Sequence, residues 1–168
     1  MDPFLFFFAL AIFIAALHLY RERQELSRIR AYEILLVWLL VFAIGFNDIL
    51  AGLAHIFMGP EIAAQIGWPP GSPFQYEVGC ANLALGVVGV LCYRFRDHFW
   101  LGTILACLVF GWGAGIGHVR DILVNANFAP YNAGPILLYD FGVPLLLVAL
   151  WLLQGREIAR MGMQGPAN

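Results

Sequence analysis

Five apolar runs, each close to the length of a bilayer crossing, restrict this chain to a bundle of membrane-spanning helices. They extend roughly from Phe4 to Tyr20, Ile34 to Met58, Val78 to Tyr93, Phe99 to Val124 and Ile136 to Leu153. A helix rises about 1.5 Å per residue, so about 20 mainly apolar residues cross the hydrocarbon core. The 168 residues are 61% hydrophobic and only 12% charged, too few charges for a water-facing shell around a soluble core. The expected fold is an all-α integral membrane protein, a single transmembrane helical domain over residues 1–168 with about five spans and no separate soluble domain.

The basic residues orient these spans. All nine are arginine. Arg21, Arg23, Arg28 and Arg30 fall in the first connection, Arg94 and Arg96 in the third, and Arg156 and Arg160 in the tail. With five spans these eight lie on one side, which the positive-inside rule makes cytoplasmic. The N-terminus is then expected outside and the C-terminus in the cytoplasm, in a multi-pass protein of a bacterial inner membrane. Met1-Asp2-Pro3 has no basic n-region, which argues against a cleaved signal peptide.

Polar groups gather at one depth. From Ile34, His55 is about 31 Å along its helix, with Asp48 about 10 Å deeper; from Trp100, His118 is about 27 Å along. Glu77 opens the third span and Asp140 lies just inside the fifth. The outer half is therefore expected to hold a ligand-binding set of Asp48, His55, Glu77, Asn82, His118, Arg120, Asp121 and Asp140, supported by Asn47, Gln75, Asn125, Asn127 and Asn132. Ionisable groups within a span are costly unless paired or watered, so they mark an interior cavity. Arg120 is expected to pair with Glu77, Asp48 or Asp140. With acids in excess on this side, a cation, a proton or a basic ligand fits better than an anion.

Helical phase gives these groups a shared face. Gly45, Asp48, Gly52 and His55 form one stripe, Gly79, Asn82, Gly86 and Gly89 a second, and Gly111, Gly115, His118, Asp121 and Asn125 a third. Glycine stripes allow close backbone approach where lipid removes the hydrophobic drive between helices. The alternating glycines of FGWGAGIGH suit close packing, a hinge, or room for a flat ligand. GWPPGSPF and NFAPYNAGP read as ordered lids over the outer mouth, with Trp68 either part of a lid or an anchor at headgroup level. Pro144 cannot donate to the carbonyl of Asp140, which leaves that carbonyl to a cation, a water or a neighbouring helix.

His55 and His118 are the candidate metal ligands: with carboxylates they suit a metal ion, and as two imidazoles a haem. No HExxH or ExxH spacing supports this. Cys80, Cys92 and Cys107 have no CxxC spacing and read as packing residues. No P-loop, dinucleotide fingerprint or basic run points to a nucleotide or nucleic acid, and no nucleophile arrangement accompanies the histidines, so catalysis is not the leading expectation.

The stretch IGWPPGSPFQYEVGCANLALGVVGVL, with the later FW, GHVRD and NFAPYNAGP, resembles a family of small bacterial integral membrane proteins of unknown function over roughly Gly45 to Leu150. WPP followed by an aromatic is similar to the tryptophan-rich sensory proteins, five-helix porphyrin and steroid binders, although here it follows the second span and their later tryptophan motifs are missing. The leading expectation is a membrane protein binding a ligand or partner through its outer polar pocket, in contact with the lipid bilayer and possible as an accessory subunit or homo-oligomer. The alternatives are a haem- or metal-dependent redox protein using His55 and His118, and a proton-coupled or cation transporter using Asp48 and Asp140.

Overall fold

The computed structural model describes residues 2–163, all-helical apart from its connections. Residue 1 and residues 164–168, included in the expected single domain, lie outside the described residues. The elements are α1 (Pro3–Glu22), α2 (Arg28–Phe57), α3 (Gly59–Ile66), α4 (Phe74–Leu91), α5 (His98–Asn125), α6 (Pro130–Ala133) and α7 (Pro135–Met163). With α6 and α7 taken as one segment, Pro130–Met163, five helices are long and apolar enough to cross a membrane. Their girth is lined by exposed apolar side chains such as Phe13, Ile116, Leu123, Leu138 and Leu152, while Asn47, Asp48, Gln75, Asn132 and Asp140 are buried. An apolar exterior over a buried polar interior is the arrangement a lipid solvent would favour.

Caps explain where the helices exceed the apolar runs. Ser27 accepts the Arg30 amide at 3.1 Å, so α2 begins six residues before Ile34. Asp2 does the same for α1, accepting the Phe4 amide at 2.9 Å. At the far end α7 continues past Leu153 as a polar helix, where Glu157 meets Arg160 at 2.8 Å and Arg28 at 3.7 Å. Arg30 joins Glu22 at 2.8 Å and Glu33 at 3.1 Å. These contacts, with Arg96 and Gln154 around one shallow pocket beside Arg30, bring α1, α2, α7 and the turn after α4 together at one arginine-rich end.

The helices pack as two close pairs. In the first, α2 and α4 meet through the expected glycine stripes. A Cβ on Gly89 would lie 2.7 Å from the Gly45 nitrogen, one on Gly52 2.7 Å from the Gly79 oxygen, and one on Gly86 2.5 Å from the Ile49 nitrogen. Only backbones without side chains approach this closely. In the second, α5 meets α7 through Gly111, against the Asp140 carbonyl, and Gly115, against Phe141. That contact is where the carbonyl left without a donor by Pro144 is found.

The two pairs pack against each other toward the arginine-rich end. Leu36, Leu39, Leu40, Trp100, Ile104 and Leu147 are fully buried there as one apolar plug. The Trp100 indole N–H donates to the Cys92 carbonyl at 2.8 Å, tying the start of α5 to the end of α4. Toward the opposite end the pairs diverge and leave a cavity.

Candidate functional site: a cavity beneath the proline-rich loops

The cavity has a volume of about 630 Å³ and takes its walls from α2, α4, α5 and α7, with Phe4 of α1 at one side. Most of its lining is apolar or aromatic, including Ile44, Leu85, Phe110 and Ile136. Gly113 and Gly117 face open space, with nothing within 4 Å of a Cβ at either. The alternating glycines thus split their work: Gly111 and Gly115 pack against α7, while Gly113 and Gly117 leave room in the cavity. Val109, 75% exposed, and Leu50, 45% exposed, also line it, so the cavity opens sideways between apolar edges.

Of the eight residues expected to bind ligand, Asp48, His55, Asn82, His118 and Asp140 line this cavity. Glu77 and Arg120 are exposed and do not. Their phase explains this, because each sits two residues, about 200° of helical turn, from an inward position: Glu77 from Gly79 and Arg120 from His118. Arg120 also makes none of its expected pairings, and no ion pair joins it to a carboxylate among the described residues. Asp121 has the right phase but lies one turn nearer the helix end. Its carboxylate accepts from Asn125 at 2.5 Å and Asn127 at 2.6 Å, which makes it part of the lid.

Asp48 is positioned by a local departure from the α-helix. Residues Leu39–Phe46 form a π-helix, in which the Asn47 amide reaches the Phe42 carbonyl five residues back. Such stretches shift every following side chain around the axis and frequently occur at functional sites. The Asp48 carboxylate accepts from Tyr139 at 2.8 Å and from Asn47 at 3.1 Å, and the Tyr139 hydroxyl also reaches the Ala43 carbonyl at 2.5 Å. Tyr139 escaped sequence reasoning because an aromatic in an apolar run carries no distinguishing signal. Its place beside Asp140 was the only pointer.

The histidines are oriented alike. His55 Nδ1 bonds the Gln75 side-chain oxygen at 2.6 Å, and His118 Nδ1 bonds the Asn132 side-chain oxygen at 2.7 Å. Asn132 is itself fixed, donating to the Asn127 carbonyl at 2.8 Å. Trp68 lines the cavity and stacks on His118 with ring centroids 6.4 Å apart. It therefore acts within a lid.

The lids are built around Asn127, which donates to the Ile66 carbonyl at 2.8 Å and accepts the Ala129 amide at 3.1 Å. The side chain occupies the space above Gly67, whose φ of 82° ends α3 in the left-handed region. Helix α3 was not expected in the second connection, although its signals are present: Pro60 in the first turn, Glu61 beside it, and Gly67 as the stop. Two buried side-chain atoms have no hydrogen-bond partner among the described residues, Gln75 Nε2 and Asp140 Oδ2. The second faces His118 Nε2 at 3.8 Å.

This arrangement of five candidate spans, glycine seams and lidded cavity occupies nearly the whole length over which the chain matches known sequences. The chain belongs to a family of unknown function, DUF6790, matched over residues 1–160. Family membership thus covers the cavity and both lids and brings no activity with it. No curated protein and no solved structure matches the chain.

Proposed function

We propose that this is a multi-pass membrane protein that binds a small lipid-soluble molecule in the lidded cavity, without catalysis. The observation that carries the reading is the cavity itself: about 630 Å³, mainly apolar, with a few polar groups converging at one end. Binding sites for small molecules have this composition. The sideways opening past Val109 and Leu50 suits entry from the hydrocarbon phase. In the bilayer the arginine-rich end is cytoplasmic by the positive-inside rule, which puts the cavity in the outer half. The apolar plug of Leu39, Leu40, Trp100, Ile104 and Leu147 beneath it counts against a path for ions through the protein.

A small apolar diazirine, photolysed in membranes holding the full chain, tests this reading. Label is expected on Ala51, Ala54 and Ala114 inside the cavity, competed by decanol and lost in Gly117→Leu. Label on the outward-facing Phe13 and Leu123 is expected to resist both. Cavity label no more competable than that on Phe13 would refute the proposal.

One observation favours a second reading, a haem or metal held by His55 and His118. Each ring has its Nδ1 fixed by an amide oxygen, as ligating histidines commonly do. Against it, no group of three potential metal ligands occurs among the described residues. Natively extracted protein with a Soret band or stoichiometric metal, lost in His55→Ala, would establish this reading over the first.

A further inference from the structure

The polar end of the cavity has a definite hydrogen-bond polarity. Asn132 uses its amide nitrogen on the Asn127 carbonyl, which turns its oxygen toward His118 and makes His118 Nδ1 the donor of their 2.7 Å bond. With its hydrogen on Nδ1, that tautomer offers a lone pair at Nε2. Facing it at 3.8 Å, beyond direct hydrogen-bond reach, is Asp140 Oδ2, 95% buried with its residue and without a partner. An imidazole nitrogen and a carboxylate oxygen thus confront one another across a gap with no hydrogen bond between them. A buried polar atom left unmet keeps its full desolvation cost, which is larger when it is charged.

The other groups around the gap do not fill it. The donors near Asp48 are committed, Asn47 to its Oδ1 and the single Tyr139 hydroxyl hydrogen between that oxygen and the Ala43 carbonyl. Among the described residues no arginine lines the cavity. Asp121, one turn beyond His118, is satisfied within the lid. A ligand carrying several N–H donors on a positive centre meets both acceptors at once, and two carboxylates in the wall disfavour an anion. Below the gap the wall is apolar down to Leu85, Val109 and Ile44.

We propose that the cavity takes a lipophilic primary amine, its ammonium set between Asp140 Oδ2 and His118 Nε2 and its hydrocarbon body in the apolar floor. This rests on the reading of the cavity as a ligand site and names the ligand's chemistry. The ammonium donates one hydrogen to the carboxylate and one to the imidazole.

The test uses the full chain in phosphatidylcholine nanodiscs and four probes of equal chain length: decylamine, decyltrimethylammonium, decanol and decanoate. Each competes against the cavity diazirine label. Decylamine is expected to compete at least ten-fold better than decanol, with decanoate weakest. Decyltrimethylammonium, a cation without N–H donors, is expected to fall below decylamine. Asp140→Asn is expected to lower decylamine to the level of decanol while decanol itself is unchanged, and that retained decanol competition reports an intact cavity. Decanol equal to decylamine in the wild type overturns the amine assignment and leaves the cavity reading standing, whether or not the variant folds. Failure of all four probes overturns both.

Discussion

Replacing Gly86 by alanine is expected to loosen the α2–α4 seam by an amount that can be worked from the structure. The added methyl would lie 2.5 Å from the Ile49 nitrogen and 2.8 Å from the Gly45 oxygen. Ordinary contacts between non-bonded heavy atoms are about 3.5–4.0 Å, so the backbones must part by about 1 Å. Neither neighbour is the end of a flexible side chain, so neither can turn aside. The parting is shared by the adjoining contacts of Gly45 with Gly89 and of Gly52 with Gly79, which are nearly as close, at 2.7 Å.

Overpacking of this kind costs about 1–3 kcal/mol, and backbone-on-backbone contact belongs at the upper end. Alanine's better helix propensity offsets up to about 1 kcal/mol, leaving a net loss of about 2 kcal/mol. Gly102→Ala supplies the control, because a Cβ there meets nothing within 4 Å and only the propensity gain remains. Thermal unfolding in detergent, followed by circular dichroism, should show Gly86→Ala clearly below wild type and Gly102→Ala at or above it. Equal midpoints for Gly86→Ala and wild type would refute the claim that this seam holds the pair together.

Three further outcomes follow from single contacts. Tyr139→Phe removes the hydroxyl shared by Asp48 and the Ala43 carbonyl and is expected to destabilise by about 1–3 kcal/mol in the same melt; an unchanged midpoint would show that the π-helical stretch needs no such partner. Asn127→Ala unlatches the lid from Ile66, so amides of Gly59–Ile66 should exchange with deuterium faster while those of Phe74–Leu91 do not. Ala126 ends α5 at a φ of 52°, where glycine is free of the β-carbon clash, and Ala126→Gly is expected to stabilise by about 1 kcal/mol; a lower midpoint would contradict this.

Much of the fold was legible in the sequence because helices long and apolar enough to cross a membrane announce themselves by unbroken apolar length, and glycine stripes by period. The Gly45, Gly52, Gly79, Gly86 and Gly89 contacts were visible for that reason. The π-helix was not, since Leu39–Phe46 is uniformly apolar and has no residue that marks a slipped ladder. Depth along a helix brought Glu77 and Arg120 into the expected site, and only rotation removes them. Both lie about 200° from an inward residue, a sign the sequence carries once phase is weighed with depth. The hydrogen-bond polarity at Asp140 was out of reach, because it depends on Asn132 and Asn127, brought beside His118 by the lid rather than by spacing.

The protein extracted with its surrounding lipid and released in a mass spectrometer tests the cavity most directly. Wild type should carry a small lipid-soluble molecule at one copy per chain, absent from Gly117→Leu, while bulk lipids adhere equally to both. An identical set of bound molecules on the two proteins would contradict the cavity as the seat of function.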